Sequence, residues 1–96
     1  MESRDETIRQ LSEKGFVAFS RDWALGESIG VAKRQVDCDG VMVYEPACVY
    51  LYPSLQGRWN VMLHPFPDRQ CRSLKEAAAV AVELLELADL GLRSRD

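Results

Sequence analysis

The side chains of this sequence that come nearest to a catalytic set are those of His64, Cys71 and Asp68. His64 is the only histidine, and an imidazole exchanges protons near neutral pH. With Cys71 as nucleophile and Asp68 as the carboxylate that orients the base, "HPFPDRQC" would support covalent catalysis. Two prolines interrupt this stretch, however, and it matches no nucleophile motif. We therefore predict no catalytic residue and no enzyme, and expect His64 at the partly exposed end of a strand.

Cys38, Cys48, Cys71 and His64 are residues of the types that bind zinc. Structural zinc sites usually take their ligands in close pairs such as C-x-x-C, whereas the gaps here are long. An odd set of cysteines without that spacing suits reduced thiols better than a disulfide framework. The segment "GESIG" at 26–30 lacks the lysine and hydroxyl residue of a phosphate loop. We predict neither a metal nor another cofactor.

The composition is that of one globular domain spanning residues 1–96, because 47% of the residues are hydrophobic and 28% are charged. The net charge is -3, and the excess acid lies in the two terminal segments. The chain therefore lacks the basic stripe that is typical of a dedicated nucleic-acid binder. No apolar run approaches the roughly 20 residues that span a bilayer, and the polar N-terminus is unlike a signal peptide. These features favour a cytoplasmic protein that binds no membrane.

Two helices with recognisable beginnings and ends flank the chain. Ser3 and Ser73 each precede a glutamate by three residues, which is the spacing of a capping box. A glycine that takes the left-handed conformation would end the first helix at Gly15 and the second at Gly91, where Leu92 would then contact Leu87. The sequence thus predicts a short helix over 4–14 and a long one over 74–90.

Between the helices the apolar residues alternate with polar ones, which indicates strands. Asp39 and Gly40 separate two such runs, at about 30–38 and 41–45, and predict a hairpin with a two-residue turn. This register pairs Val36 with Val43, and Arg34 with Glu45.

A second hairpin is predicted from strands at about 47–52 and 58–64, on either side of the turn-forming segment "PSLQG". Pro46 marks either a bend or an edge position, because proline cannot donate to a sheet ladder. Residues 16–28 are ambiguous: 16–19 can form a short strand, and Ser20 can cap a single helical turn that ends at Gly26. The expected fold is α+β, a two-layer sandwich in which an antiparallel sheet of 3–5 strands carries both helices.

The strand "GRWNVMLHP" has two faces of different character. Trp59, Val61 and Leu63 point one way and form the expected core face. The other face is rich in Tyr, Met and Arg, which are enriched at protein interfaces. It is either an exposed binding surface or is covered by the N-terminal helix or by the loop that carries Trp23. The candidate binding residues are Trp23, Tyr44, Tyr50, Tyr52, Arg58, Asn60, Met62 and His64.

Residues 57–88 combine a strand of the form GRW-x-V with a helix that opens S-x-x-E-A-A. The motif residues are Gly57, Arg58, Trp59 and Val61 in the strand, and Ser73, Glu76, Ala77 and Ala78 in the helix. This combination resembles the DNA-binding modules of plant ethylene-response factors and of phage-integrase arm domains. The resemblance implies a helix behind a three-stranded sheet whose outer face lies in the DNA major groove. The DNA-facing residues that it implies are Arg58, Lys33, Asn60 and His64.

Small size, acidic balance and a tyrosine-rich face together favour a non-enzymatic protein-binding module, either an adaptor or an inhibitor of the immunity or anti-defence type. We expect it to act by surface contact with another protein, with Arg58 donating directional hydrogen bonds. That other protein could also be a second copy of the chain, in a homodimer. The alternative function is nucleic-acid binding through the same outer sheet face.

Overall fold

The structure is a computed structural model that describes residues 3–23, 26–64 and 66–93. Its elements, in chain order, are α1 (Arg4–Glu13), β1 (Val17–Trp23), β2 (Gly26–Ala32), β3 (Arg34–Cys38), β4 (Val41–Glu45), β5 (Val49–Pro53), a 3-10 turn (Leu55–Gly57), β6 (Trp59–Met62), β7 (Arg69–Cys71) and α2 (Leu74–Arg93). Five strands form an antiparallel sheet in the order β1-β2-β5-β6-β7, and β3 pairs with β4 in a separate two-stranded sheet. The predicted α+β class is confirmed.

Both helices pack on the same side of the five-stranded sheet, which gives the expected two layers. Leu11 of α1 lies in the same buried cluster as Leu74, Ala81 and Leu85 of α2. These helical side chains pack against one face of the sheet, and this packing removes the apolar surface of both layers from water. The strands contribute Ile29, Val31, Val49, Leu51, Val61 and Cys71 to the cluster, and Trp59 and Leu63 pack against it.

The two helices begin as predicted, but only the first ends as predicted. The hydroxyl oxygens of Ser3 and Ser73 accept the N–H of Glu6 and Glu76, each at 3.1 Å. Gly15 has φ +92° directly after α1, in the left-handed region that ends a helix. The predicted end at Gly91 is wrong, because α2 continues through this residue as far as position 93. A glycine permits the left-handed conformation without requiring it.

The prediction for Leu92 lies outside the described side chains. Its backbone nevertheless belongs to α2, so the chain does not turn there as the predicted cap required.

The described part of 16–28 differs most from expectation, because it supplies β1 and the first residues of β2, which pair as a hairpin. Ser20 pairs with Ile29 inside this hairpin, so the helical-turn alternative is wrong. Trp23 belongs to strand β1 and not to a loop, and its side chain is not described. The predicted strand over 30–38 is two strands, which part at Lys33. Backbone pairing decides these points, since β1 pairs with β2 and β2 pairs in turn with β5. Local propensity does not report such pairing.

The β3–β4 hairpin, hereafter the arm (Arg34–Glu45), has the predicted register: Val36 pairs with Val43, and Arg34 with Glu45. It lies outside the five-stranded sheet. Pro46 lies at a bend of the backbone in the connection between β4 and β5, so the bend alternative is correct. Its peptide bond with Glu45 is cis. The three-residue edge strand β7 was not predicted, because a strand this short has too little alternation to detect.

Candidate binding surface

The sheet has a second face, opposite the helices. One row across it joins Phe19, Gly30, Tyr50 and Met62, because each is the cross-strand partner of the next. Side chains of directly paired residues point to the same side of a sheet. Along each strand, every second side chain points to that side as well. We call the following residues the outer face: Phe19, Arg21, Tyr50, Tyr52, Arg58, Asn60, Met62 and Gln70.

The N-terminal helix does not cover the outer face. Leu11 is buried in the core with α2, and Ile8 packs against the same core, so α1 lies on the helix side of the sheet. Covering by the N-terminal helix, one of the two sequence-based alternatives, is therefore wrong. On the outer face Tyr50, Tyr52 and Met62 are half-buried by their neighbours.

Tyr50 lies in the middle of the outer face and is held there by Arg21 of β1. The Arg21 guanidinium donates from Nη1 to the Tyr50 hydroxyl oxygen at 2.8 Å. Its Cζ lies 5.0 Å from the centre of the Tyr50 ring, within cation–π range. Burial, followed by a hydrogen bond with Cys48, raises the pKa of Tyr50. The phenol therefore stays neutral at physiological pH and keeps both a hydrogen-bonding group and a flat apolar ring.

Tyr52, two residues further along β5, is held by a carboxylate. Its hydroxyl donates to Oδ2 of Asp68, in the segment before β7. Burial is the main cause that raises the pKa of Tyr52, and the hydrogen bond to Asp68 adds to it. Asp68 thus serves to orient a tyrosine, and not a histidine as the catalytic hypothesis required.

Arg58 lies at the other end of the outer face from Arg21, just before β6. Its Nη1 donates to Oε1 of Gln70 at 3.1 Å, and the Gln70 amide reaches Ser54 Oγ at 3.5 Å. The Arg58 side chain is exposed. A guanidinium held by one hydrogen bond has further donors that can face a ligand.

Phe19 covers the glycine in its own row. A Cβ on Gly30 would lie 2.3 Å from Cζ of Phe19, so the ring occupies the space that a side chain would need. Tyr44 of the arm stacks on Phe19, with ring centroids 5.1 Å apart and an interplanar angle of 22°. Tyr44 therefore fixes the base of the arm against β1 and does not stand beside Met62.

The structure thus brings together five of the eight candidate residues: Tyr50, Tyr52, Arg58, Asn60 and Met62. His64 is exposed in the turn after β6, Tyr44 stacks on Phe19, and the Trp23 side chain is not described.

Three residues of the outer face were not among the sequence-based candidates: Phe19, Arg21 and Gln70. The signal that could have placed the first two on a strand is the β-branched and aromatic residues at every second or fourth position of "VAFSRDW", namely Val17, Phe19 and Trp23. No comparable signal exists for Gln70, because β7 has only three residues.

The described residues form neither a catalytic set of His64, Cys71 and Asp68 nor a group of metal ligands. Cys71 is buried in the core, and burial raises the pKa of its thiol, whereas His64 is exposed. Burial also raises the pKa of the Cys48 thiol, which makes a thiolate nucleophile scarce at neutral pH. Within residues 3–23, 26–64 and 66–93, no three His, Cys, Asp or Glu side chains are grouped to hold a metal ion.

Comparison with models of known protein families, with curated protein sequences and with solved structures finds no match to this chain. The resemblance of residues 57–88 to ethylene-response factors and integrase arm domains therefore stays a prediction. In the described part of the chain, no helix is both long and apolar enough to cross a membrane.

Proposed function

We propose that the chain is a non-enzymatic protein-binding module and that the outer face is its binding surface. One observation carries this proposal: both described helices lie on the opposite side of the sheet, and Tyr50, Tyr52 and Met62 lie side by side on this one. Tyrosine and methionine, together with arginine, are enriched in the buried centres of protein interfaces. Tyrosine in particular buries a large area at low entropic cost, since it has only two side-chain torsions.

The outer face is also largely ordered before any partner binds. Arg21 holds Tyr50, Asp68 holds Tyr52, and Gln70 holds Arg58 through the hydrogen bonds described above. Association normally costs about 0.5–1.5 kcal/mol for each rotamer-rich side chain that it immobilises. These contacts reduce that cost.

The charges on the outer face indicate the chemistry of the partner. Two guanidinium groups, Arg21 and Arg58, flank the apolar centre, and the nearby carboxylate of Asp68 is already hydrogen-bonded to Tyr52. Complementary potentials across an interface favour the right partner over others. The partner surface that fits is apolar or aromatic at its centre, with carboxylates or carbonyl oxygens at its rim. An adaptor and an inhibitor would both bind in this way.

Single-stranded nucleic acid is the competing ligand, and the adjacent tyrosines of β5 are the observation that favours it. Unpaired bases stack on aromatic side chains of open sheets. Two arginines nevertheless neutralise few phosphates, and phosphate neutralisation supplies most of the affinity of such complexes. We therefore propose a protein partner and treat nucleic acid as an outcome of the test.

The experiment compares four immobilised proteins exposed to lysate of the source cells: the wild type, Tyr52→Ala, Arg58→Ala and the control Glu83→Ala. Glu83 is exposed on α2, away from the outer face. We expect at least one protein to be captured by the wild type and the control and lost with both outer-face variants. The purified partner should then bind the outer-face variants at least about tenfold more weakly than the control.

Two results would overturn the proposal. In one, every captured protein binds the outer-face variants as well as it binds the wild type. In the other, a labelled oligothymidylate binds at low salt, loses affinity in Tyr52→Ala, and weakens as salt rises; this outcome would establish the nucleic-acid alternative. Urea denaturation of each variant checks that the domain remains folded.

A further inference from the structure

The arm is structurally separate from the rest of the domain. Its two strands pair with each other in a sheet of their own, apart from the five-stranded sheet. Each residue of 34–45, all of which the structure describes, is exposed or only partly buried. A segment with few buried apolar contacts opens at a lower free energy than the core of the same protein. The arm can therefore move while the five-stranded sheet and the helices stay folded.

Two short connections join the arm to the five-stranded sheet. Lys33 connects β2 to β3, and residues 46–48 connect β4 to β5. The backbone bends at Lys33 and again at Pro46. Hinges in proteins are a few residues of this kind, at the ends of elements, that absorb a change of backbone torsions. The N–H of Lys33 donates to the carbonyl oxygen of Glu45 at 3.0 Å, so the two connections are bonded together and the arm moves about both as one unit.

Two ion pairs attach the base of the arm to α2. Nζ of Lys33 lies 2.6 Å from Oε1 of Glu86, and Nη2 of Arg34 lies 2.6 Å from Oδ1 of Asp89. Lys33 and Glu86 are both partly exposed, so salt screens their attraction and the pair is weak. The Asp89 side chain is only 4% exposed, so the second pair is screened less. The attachment of the arm to α2 therefore depends on charge.

An aromatic stack attaches the other side of the arm to the outer face. Tyr44 of β4 stacks on Phe19, with the ring centroids 5.1 Å apart. Phe19 is the first residue of the row that continues through Gly30 to Tyr50 and Met62. The ring of Tyr44 therefore covers part of an aromatic ring that belongs to the outer face.

We propose that the arm is a hinged lid on the outer face, which opens about Lys33 and residues 46–48 and takes Tyr44 away from Phe19. The closed arm withholds part of the Phe19 ring from a partner. The open arm adds this ring to the apolar row that contains Tyr50 and Met62. This effect on binding rests on the proposed function of the outer face, whereas the motion of the arm does not.

The contacts at the base of the arm determine how often it opens. An aromatic pair favours the closed arm by about two- to tenfold. The exposed pair of Lys33 and Glu86 favours it by up to about fivefold. The pair of Arg34 and Asp89 adds to both factors, so the open arm should be a minor state, populated at roughly 0.1–10%. NMR relaxation dispersion detects such a state when it exchanges in microseconds to milliseconds.

Relaxation dispersion of the isotope-labelled protein, without any partner, tests the proposal. The backbone amides of 34–45 and of Phe19 should show exchange with one common rate, because the arm moves as a unit. The amides of β5 and β6 should show none. Raising the salt concentration from about 0.05 M to about 0.5 M should increase the open population about two- to threefold, because salt screens the ion pairs.

A matched pair of variants on α2 tests the attachment while leaving the arm itself unchanged. Glu86→Gln keeps the shape of the side chain and removes the charge that Lys33 binds, so the open population should rise about two- to fivefold. The control Glu83→Gln makes the same change at an exposed position of the same helix and should leave the population as in the wild type. Tyr44→Leu removes the stack and should raise the open population about two- to tenfold.

Three results would overturn the proposal. The first is the absence of exchange in the arm of both the wild type and Tyr44→Leu. The second is an equal open population in Glu86→Gln and Glu83→Gln. The third is a set of different rates along the arm, fastest at Asp39 and Gly40, which would indicate fraying from the tip. Tyr52→Ala should show the exchange of the wild type, so failure of the outer face as a binding surface would not alter this test.

Discussion

Substitution of Gly30 by alanine should destabilise the domain through one identifiable clash. The new Cβ would lie 2.3, 2.6 and 2.8 Å from three atoms of the Phe19 ring, whereas carbon atoms in contact are about 3.5–4.0 Å apart. The ring must therefore move by more than 1 Å. This movement disturbs its stack on Tyr44, which fixes the base of the arm.

The expected loss is about 2–4 kcal/mol. Insertion of a methyl group into a filled space costs about 1–3 kcal/mol, and loss of an aromatic pair costs about 0.5–1.5 kcal/mol. Without the ring the same substitution should be harmless, since alanine is favoured over glycine inside a strand by about 0.5–1 kcal/mol. In a Phe19→Ala background, Gly30→Ala should therefore be neutral or slightly stabilising.

A double-mutant cycle measured by urea unfolding tests both statements. The four proteins are the wild type, the two single variants and the double variant, and the quantity compared is the free energy of unfolding. At about 4–8 °C per kcal/mol, Gly30→Ala alone should lower the Tm by roughly 10 °C or more. An equal loss in both backgrounds, within about 0.5 kcal/mol, would refute the assigned position of the Phe19 ring.

Three further outcomes follow from the ion pairs and the titrating groups. Asp89→Asn keeps a side-chain oxygen that can accept from Arg34 but removes the buried negative charge that lies 2.6 Å from Arg34 and 3.9 Å from Lys33. The free energy of unfolding should fall by about 1–3 kcal/mol, a moderate loss because Arg34 is partly exposed, and unchanged stability would contradict this role. Iodoacetamide at pH 8 should modify the exposed Cys38 well before Cys48, whose pKa is raised by burial. Mass spectrometry of the digested protein measures the order of modification, and faster modification of Cys48 would contradict the prediction. The pKa values of Cys48 and Tyr50 are raised in the folded state, so these two groups ionise at lower pH in the unfolded chain than in the folded one. The free energy of unfolding should therefore hold below about pH 8 and fall above about pH 9. A urea midpoint as high at pH 10.5 as at pH 7 would contradict this.

The features that could be predicted from the sequence are those that depend on neighbours along the chain. The hydroxyls of Ser3 and Ser73 begin the helices, because a cap satisfies N–H groups only three residues away. Asp39 and Gly40 both have positive φ, as the predicted two-residue turn requires, and this turn sets the register of the arm. Alternation along β5 and β6 separated the core residues from Tyr50, Tyr52, Asn60 and Met62 for the same local reason.

The features that depend on residues far away along the chain could not be predicted from the sequence. Strand β2, whose partner in the hairpin is β1, also pairs with β5 about 20 residues further along the chain, and no local pattern of either segment encodes this pairing. The sequence likewise does not determine which side of the sheet α1 covers, because α1 could pack on either face. The burial of Leu11 in the same core cluster as α2 shows that both helices cover the same face. The arm leaves the main sheet where Arg34 meets Asp89, an ion pair that spans 55 residues of sequence. Burial and long-range pairing act on the folded chain as a whole, and they therefore determine which of two locally acceptable structures forms.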